Sequence, residues 1–301
     1  ATPAPDTTPE DLADYAQAMA WLTAEHRVLL AVHRRAADTG FDTHTWQLAW
    51  VLDTFLDRQG HWHDLAAAWQ AALHAAGRLA DRAVRAAAGA LAHRFLAHAE
   101  TRRSHYAAAH SHYRQALELD VRAGDRLGQA HTHGNLAILW ERQDSPKQAL
   151  DHAEQALSLF QAVGDRRGQA LALNMVGWYH AQLGGHTEAL AYCEQALALQ
   201  RQLGDRYGEA HTWDSLGYAH HAAGDHAAAD DCYQHAQTLF RDLGDRYNQA
   251  EVLTRLGDSY QAAGDPTGAR NVWSDALRIL TELDHPDANA VRVKLDNLVH
   301  N

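Results

Sequence analysis

Lysine is nearly missing from this chain: only Lys147 and Lys294 occur, the remaining basic side chains are arginines, and 38 acidic residues outweigh 26 basic ones for a formal charge of −12. That balance speaks against gripping a phosphate backbone, so no direct nucleic-acid contact by this segment is expected. Cysteine is confined to Cys193 and Cys232, in neither a metal-type nor a redox-type spacing. With no signal peptide ahead of them, they point to a reducing cytoplasm. Hydrophobic residues make up 46% of the sequence, yet no uncharged apolar run approaches the ~18 residues of a bilayer crossing, so no membrane partner is expected. Of six prolines, Pro3, Pro5 and Pro9 fall in the first nine residues, and Pro146, Pro266 and Pro286 sit where helices should begin, which leaves helix interiors unbroken. Walker loops, glycine-rich dinucleotide fingerprints, nucleophile elbows and Cys-x-x-Cys motifs are all missing. An enzyme therefore has little to stand on, and no cofactor is expected.

What is present is repetition. Gly-Asp-Arg stands at Gly124-Asp125-Arg126, Gly164-Asp165-Arg166, Gly204-Asp205-Arg206 and Gly244-Asp245-Arg246, followed by LGQA, RGQA, YGEA and YNQA. The triplet is a joint between helices: the glycine takes the left-handed conformation that ends one, and the aspartate accepts from the free N–H groups that open the next. A looser joint lies between triplets, at Asp144-Ser145-Pro146, Gly184-Gly185-His186, Gly224-Asp225-His226 and Gly264-Asp265-Pro266. Each period of 40 residues is thus a helix, a turn, a helix and a turn. The arginines of the triplets are expected to pair with acids or carbonyls near these joints.

In chain order, 1–9 reads as a flexible Pro-rich linker and 10–80 as N-terminal helices with a degenerate first repeat. Leu12, Tyr15, Met19, Leu22, Leu29 and Val32 lie in the first one or two helices, followed by helices over about 42–58 and 61–76. A regular array follows over 81–285, its first unit lengthened by four residues through an extended turn near 98–103. A capping helix over 286–301 carries Val291, Leu295 and Leu298 at i, i+4 and i+7. The expected fold is all-α: a right-handed superhelical solenoid of about six helix pairs with extra N-terminal helices. The start without Met, on a Pro-rich tail, reads as a piece of a longer chain.

The packing positions specify the repeat further. Trp213, Leu216-Gly217 and His220 share a face of one helix and Ala229, Tyr233 and Ala236 a face of the next; Leu173, Val176-Gly177, His180, Ala189, Cys193 and Ala196 repeat the order, as do Leu253, Leu256-Gly257, Tyr260, Ala269, Trp273 and Ala276. This order resembles the tetratricopeptide repeat (TPR), in a form longer than its usual ~34 residues. The segments AMAWLTAEHRVLLAVHRRAADTG and WQLAWVLDTFLDRQGHWHDLAAAWQAAL ahead of LGDR-type repeats resemble the C-terminal part of large Streptomyces antibiotic regulatory proteins (SARPs) and related actinobacterial NB-ARC/TPR regulators. The resemblance implies a non-catalytic, cytoplasmic sensor or protein-interaction domain of a transcriptional regulator of secondary metabolism, with an NB-ARC ATPase domain as partner in a longer chain. A free-standing adaptor that assembles a protein complex is the alternative.

Twenty-three histidines raise the question of a metal, but no two stand three or four apart, so none pair as ligands on one helix. Ligands from separate helices stay open, and no metal site is expected. A protein or peptide ligand is expected on the inner face, lined by the first helix of each unit. Its candidate contacts are His131, Asn135, Asn174, Trp178, His211, Asp214, Tyr218, His221, Glu251 and Thr254, with Ile138, Glu141 and Asp258 in the same columns. Trp178 and Tyr218 are candidates to hold an apolar side chain between them, or else to fill space between adjacent helices. Five of nine tryptophans, Trp21, Trp46, Trp50, Trp62 and Trp69, lie in the first quarter, as candidates for a seat beneath a preceding domain.

Overall fold

A computed structural model describes residues 15–299; the linker over 1–9 and Leu12 lie outside them. Every regular element among the described residues is a helix: α1 (Tyr15–Asp38), α2 (Asp42–Arg58), α3 (Trp62–Arg78), α4 (Arg82–Arg102), α5 (Tyr106–Ala123), α6 (Arg126–Glu141), α7 (Pro146–Val163), α8 (Arg166–Gln182), α9 (His186–Leu203), α10 (Arg206–Ala222), α11 (His226–Asp242), α12 (Arg246–Ala262), α13 (Pro266–Glu282) and α14 (Ala288–Val299). Six pairs run from α2/α3 to α12/α13, with α1 before them and α14 after. The all-α, six-pair expectation holds.

The chain divides into two compact units, 1–119 and 120–301, with the border inside α5. In the first, α1 lies on α2 and α3, and α3 on α4, around Leu52, Phe55, Leu56, Leu65, Trp69 and Leu96. In the second, α6 pairs with α7, α8 with α9, α10 with α11 and α12 with α13. The second helix of each pair packs on the first of the next, consecutive first helices touch, and α14 closes on α13.

Local chemistry accounts for the joints. Gly164 and Gly204 end α7 and α9 at φ 73° and 64°, in the left-handed region where a Cβ would be strained. The carboxylates of Asp125, Asp165, Asp205 and Asp245 then accept from N–H groups of Gly128, Arg167, Gly208 and Asn248. The triplet arginine braces its own pair. Arg166 donates to Gln202 (2.7 Å), Arg206 to Asp242 (3.3 Å) and Arg246 to Glu282, each joining the start of a first helix to the end of the antiparallel second. Asp42 and Arg78 make the same brace in α2/α3 with the charges exchanged, at 2.6 Å.

One expectation fails. The four extra residues of α4/α5 form no extended turn at 98–103; α4 stays helical to Arg102 and is 21 residues long, against 17 for α8, α10 and α12. The cause lies on α2, where Asp57 takes His98 Nε2 at 3.3 Å and Arg102 Nε at 3.0 Å, two groups one helical turn apart. Burial opposes ionisation of Asp57, but His98 and Arg102 hold its carboxyl well below the ordinary carboxylate range, so the added turn of helix carries its own anchor.

Candidate functional site

The first helices of the second unit carry a polar and aromatic ladder. One column away, small residues seat each first helix against its own partner: a Cβ on Gly217 would come within 2.6 Å of the Tyr233 ring on α11, and one on Gly257 within 2.2 Å of Trp273 on α13. The side chains of α6, α8, α10 and α12 reach one another across the first helices.

At one end Glu141 of α6 accepts from Trp178 Nε1 at 2.6 Å, from the Tyr179 hydroxyl at 3.3 Å and from Gln182 Nε2 at 3.2 Å. The Trp178 ring lies 4.7 Å from that of Tyr218, tilted by 43°. Arg255 of α12 places its guanidinium 5.4 Å over Trp178, donates from Nη1 to Asp214 Oδ2 at 2.7 Å and lies 3.7 Å from Glu251. Burial opposes the charge on Arg255, yet Asp214 and Glu251 hold its proton more tightly than usual. Burial pushes the Asp214 carboxyl up against the pull of Arg255. Asp214 Oδ1 is buried with no hydrogen-bond partner, so this carboxylate retains an acceptor that folding leaves unsatisfied.

The expected contacts divide. Trp178, Tyr218, Asp214 and Glu251 come together. His211 lies at the edge of the cluster, edge-on to Tyr207 and Phe240 at 4.7 and 4.9 Å, its imidazole pushed below its ordinary value chiefly by burial. His131 on α6 is exposed and meets Phe160 edge-on at 5.1 Å; Asn135, on the same helix, is half-buried. Asn174 is only 8% exposed and faces Cys193 Sγ at 3.9 Å, on α9. The Thr254 hydroxyl bonds back to Ala250 O at 2.8 Å, and His221 lies 5.2 Å from His226.

Nor do Trp178 and Tyr218 hold a side chain between them, because rings 4.7 Å apart are already in contact. Arg255 is the residue missed from sequence. It stands one position off the chosen column, and its signal was the Glu251–Arg255 spacing of four on one helix face. Cys193 and Cys232 are buried, and burial pushes their thiols up to about 12 and about 11, which disfavours nucleophilic use.

No described helix is long and apolar enough to cross a membrane, and no curated protein sequence matches the chain. Among solved structures, BtubC from P. vanneervenii is 24% identical with a TM-score of 0.60, covering 75% of this chain and 94% of its own. A signal transduction ATPase with numerous domains (STAND), with a tetratricopeptide repeat sensor, from Pyrococcus horikoshii is 15% identical with a TM-score of 0.63; the match covers 92% of this chain but 41% of that one. A Rap protein complexed with competence and sporulation factor is 15% identical with a TM-score of 0.60, over 87% of this chain and 78% of its own. These likenesses concern the fold. The tetratricopeptide repeat model matches four overlapping stretches, 85–162, 128–202, 168–242 and 208–282, about two thirds of the chain and in step with its helix pairs, and the chain belongs to the tetratricopeptide repeat family.

Proposed function

We propose that this array is a non-catalytic sensor that binds a protein or peptide segment on the face carried by α6, α8, α10 and α12. The observation that carries the reading is the cluster of Trp178, Tyr218, Asp214 and Arg255, in which Asp214 keeps a buried acceptor without a partner. Glu141, Asp214 and Glu251 outnumber Arg255 there, so the face favours a segment that brings a cation beside an apolar side chain. That use accords with the Rap structure solved with its competence and sporulation factor.

The sequence resemblance to SARP-type regulators, and the STAND protein of which this chain spans 41%, support a place beside a nucleotide-binding NB-ARC domain in a cytoplasmic transcriptional regulator of secondary metabolism. Ligand binding would then shift the populations between which the ATPase domain switches. A free-standing adaptor remains the second reading.

A displayed peptide library panned on the purified chain tests the binding face. Cationic, apolar peptides are expected, with affinity reduced at least ~10-fold, about 1.4 kcal/mol, by Trp178→Leu and unchanged by Trp50→Ala. Selected peptides indifferent to Trp178→Leu would remove this face from the account. For the larger setting, an antibody raised to the segment is expected to detect a native protein well above 33.3 kDa; a band at that mass would favour the adaptor.

A further inference from the structure

We propose that His26, His61 and Asp64 form a divalent-cation site, suited to Zn²⁺, that fastens α1 to the start of α3. The ligands come from two places in the sequence: His26 from the middle of α1, His61 from the position that caps α3, and Asp64 from the first turn of α3. One ligand atom from each lies within 4.8 Å of the other two. His26 Nε2 stands 3.5 Å from Asp64 Oδ2. Tetrahedral zinc with ligand bonds of about 2.0–2.2 Å sets neighbouring ligand atoms roughly 3.3–3.5 Å apart, so this pair already has the separation a shared ion requires.

The surroundings favour ligation over a simple ion pair. His26 Nε2 is buried and has no hydrogen-bond partner, a loss that one coordinate bond would make good. The His26 and His61 rings lie 4.2 Å apart at 28°, and Phe55 sits beneath both at 5.5 and 6.0 Å. The Asp64 side chain is 46% exposed, leaving an entry path and room for water as fourth ligand. Two histidines and one carboxylate suit zinc rather than Ca²⁺ or Mg²⁺, which prefer all-oxygen sets. No two histidines stand three or four apart on one helix; the packing of α1 on α3 brings His26 to His61 and Asp64 instead.

Calorimetric titration of the chelator-treated chain with ZnCl₂ tests the site. One equivalent is expected to bind, to raise Tm and to slow hydrogen exchange in α1; MgCl₂ should do none of these. His61→Ala and Asp64→Asn are each expected to weaken binding more than ~10-fold, and exposed His63→Ala to leave it unchanged. Co²⁺ replaces zinc as a probe that needs no variant, and d–d absorption of tetrahedral intensity is expected. Absence of stoichiometric Zn²⁺ binding, binding that survives Asp64→Asn and His61→Ala in folded protein, or a weak octahedral Co²⁺ spectrum would each overturn the site. The trio would then be a His26–Asp64 ion pair with His61 stacked on it.

Discussion

Gly217 and Gly257 stand where a tyrosine and a tryptophan of the paired helix press against backbone, and the room each ring takes is the room a methyl group would need. Gly217→Ala is expected to destabilise by about 1–3 kcal/mol, the usual cost of overpacking. Gly134 occupies a comparable helix, but a Cβ there meets only Met175 Sδ, at 3.9 Å; Gly134→Ala is expected to gain about 0.5–1 kcal/mol. Paired urea melts check both, and a loss at Gly134 would contradict the packing described. Histidine pairs give the residue scale its pH dependence. His93 and His112 approach to 3.0 Å between Nδ1 atoms, and His133 and His152 to 2.9 Å; burial first and the partner second push His93 and His133 down to about 4. Between an unfolded value near 6.5 and that value the unfolded chain holds more protons, so stability falls as pH drops through this window. Urea midpoints are expected to decline from pH 7 to 5, and His133→Leu to make the decline shallower.

Elements here are set by their ends. Asp205 accepts from Gly208 N at 3.0 Å, and Asp205→Ala is expected to cost about 1 kcal/mol and to raise hydrogen exchange in the first turn of α10 before any other part of that helix. These ends were legible in the sequence because cap, turn and brace all lie within about one period. The length of α4 was not. Its extra turn depends on Asp57, 41 residues before His98 in the chain, and nothing local to 98–103 announces that partner.

At the scale of the whole molecule, stability is carried by neighbours, since a helix pair buries its faces only against the next. The last face, on α13, is covered by Val291, Leu295 and Leu298 of α14 around Trp273, Ile279 and Leu280. Truncation after Asp284 would uncover that cluster, and burial of such side chains contributes about 1.5–3 kcal/mol each. Hydrogen exchange is expected to quicken in α12 and α13 and to stay unchanged in α6 and α7; uniform quickening across the second unit would instead mark it as one cooperative block.

The sequence by itself determined the period, the helix ends, the small-residue columns and the identity of the first helices as the face that carries Trp178, Tyr218 and Asp214. Each follows from backbone chemistry or from spacing along a single helix, and such information is local. Only the tertiary structure decided that Asp214 pairs with Arg255, that Trp178 and Tyr218 close on each other, that Asn174 turns to α9 and Thr254 bonds to its own helix, and that His26 meets His61 and Asp64. Those pairings join residues 35 to 41 apart, apart from Asn174 and Cys193 at 19 and Thr254 within one turn. Which of several side chains on a face finds a partner depends on the approach of neighbouring helices, a distance that no one-dimensional pattern contains.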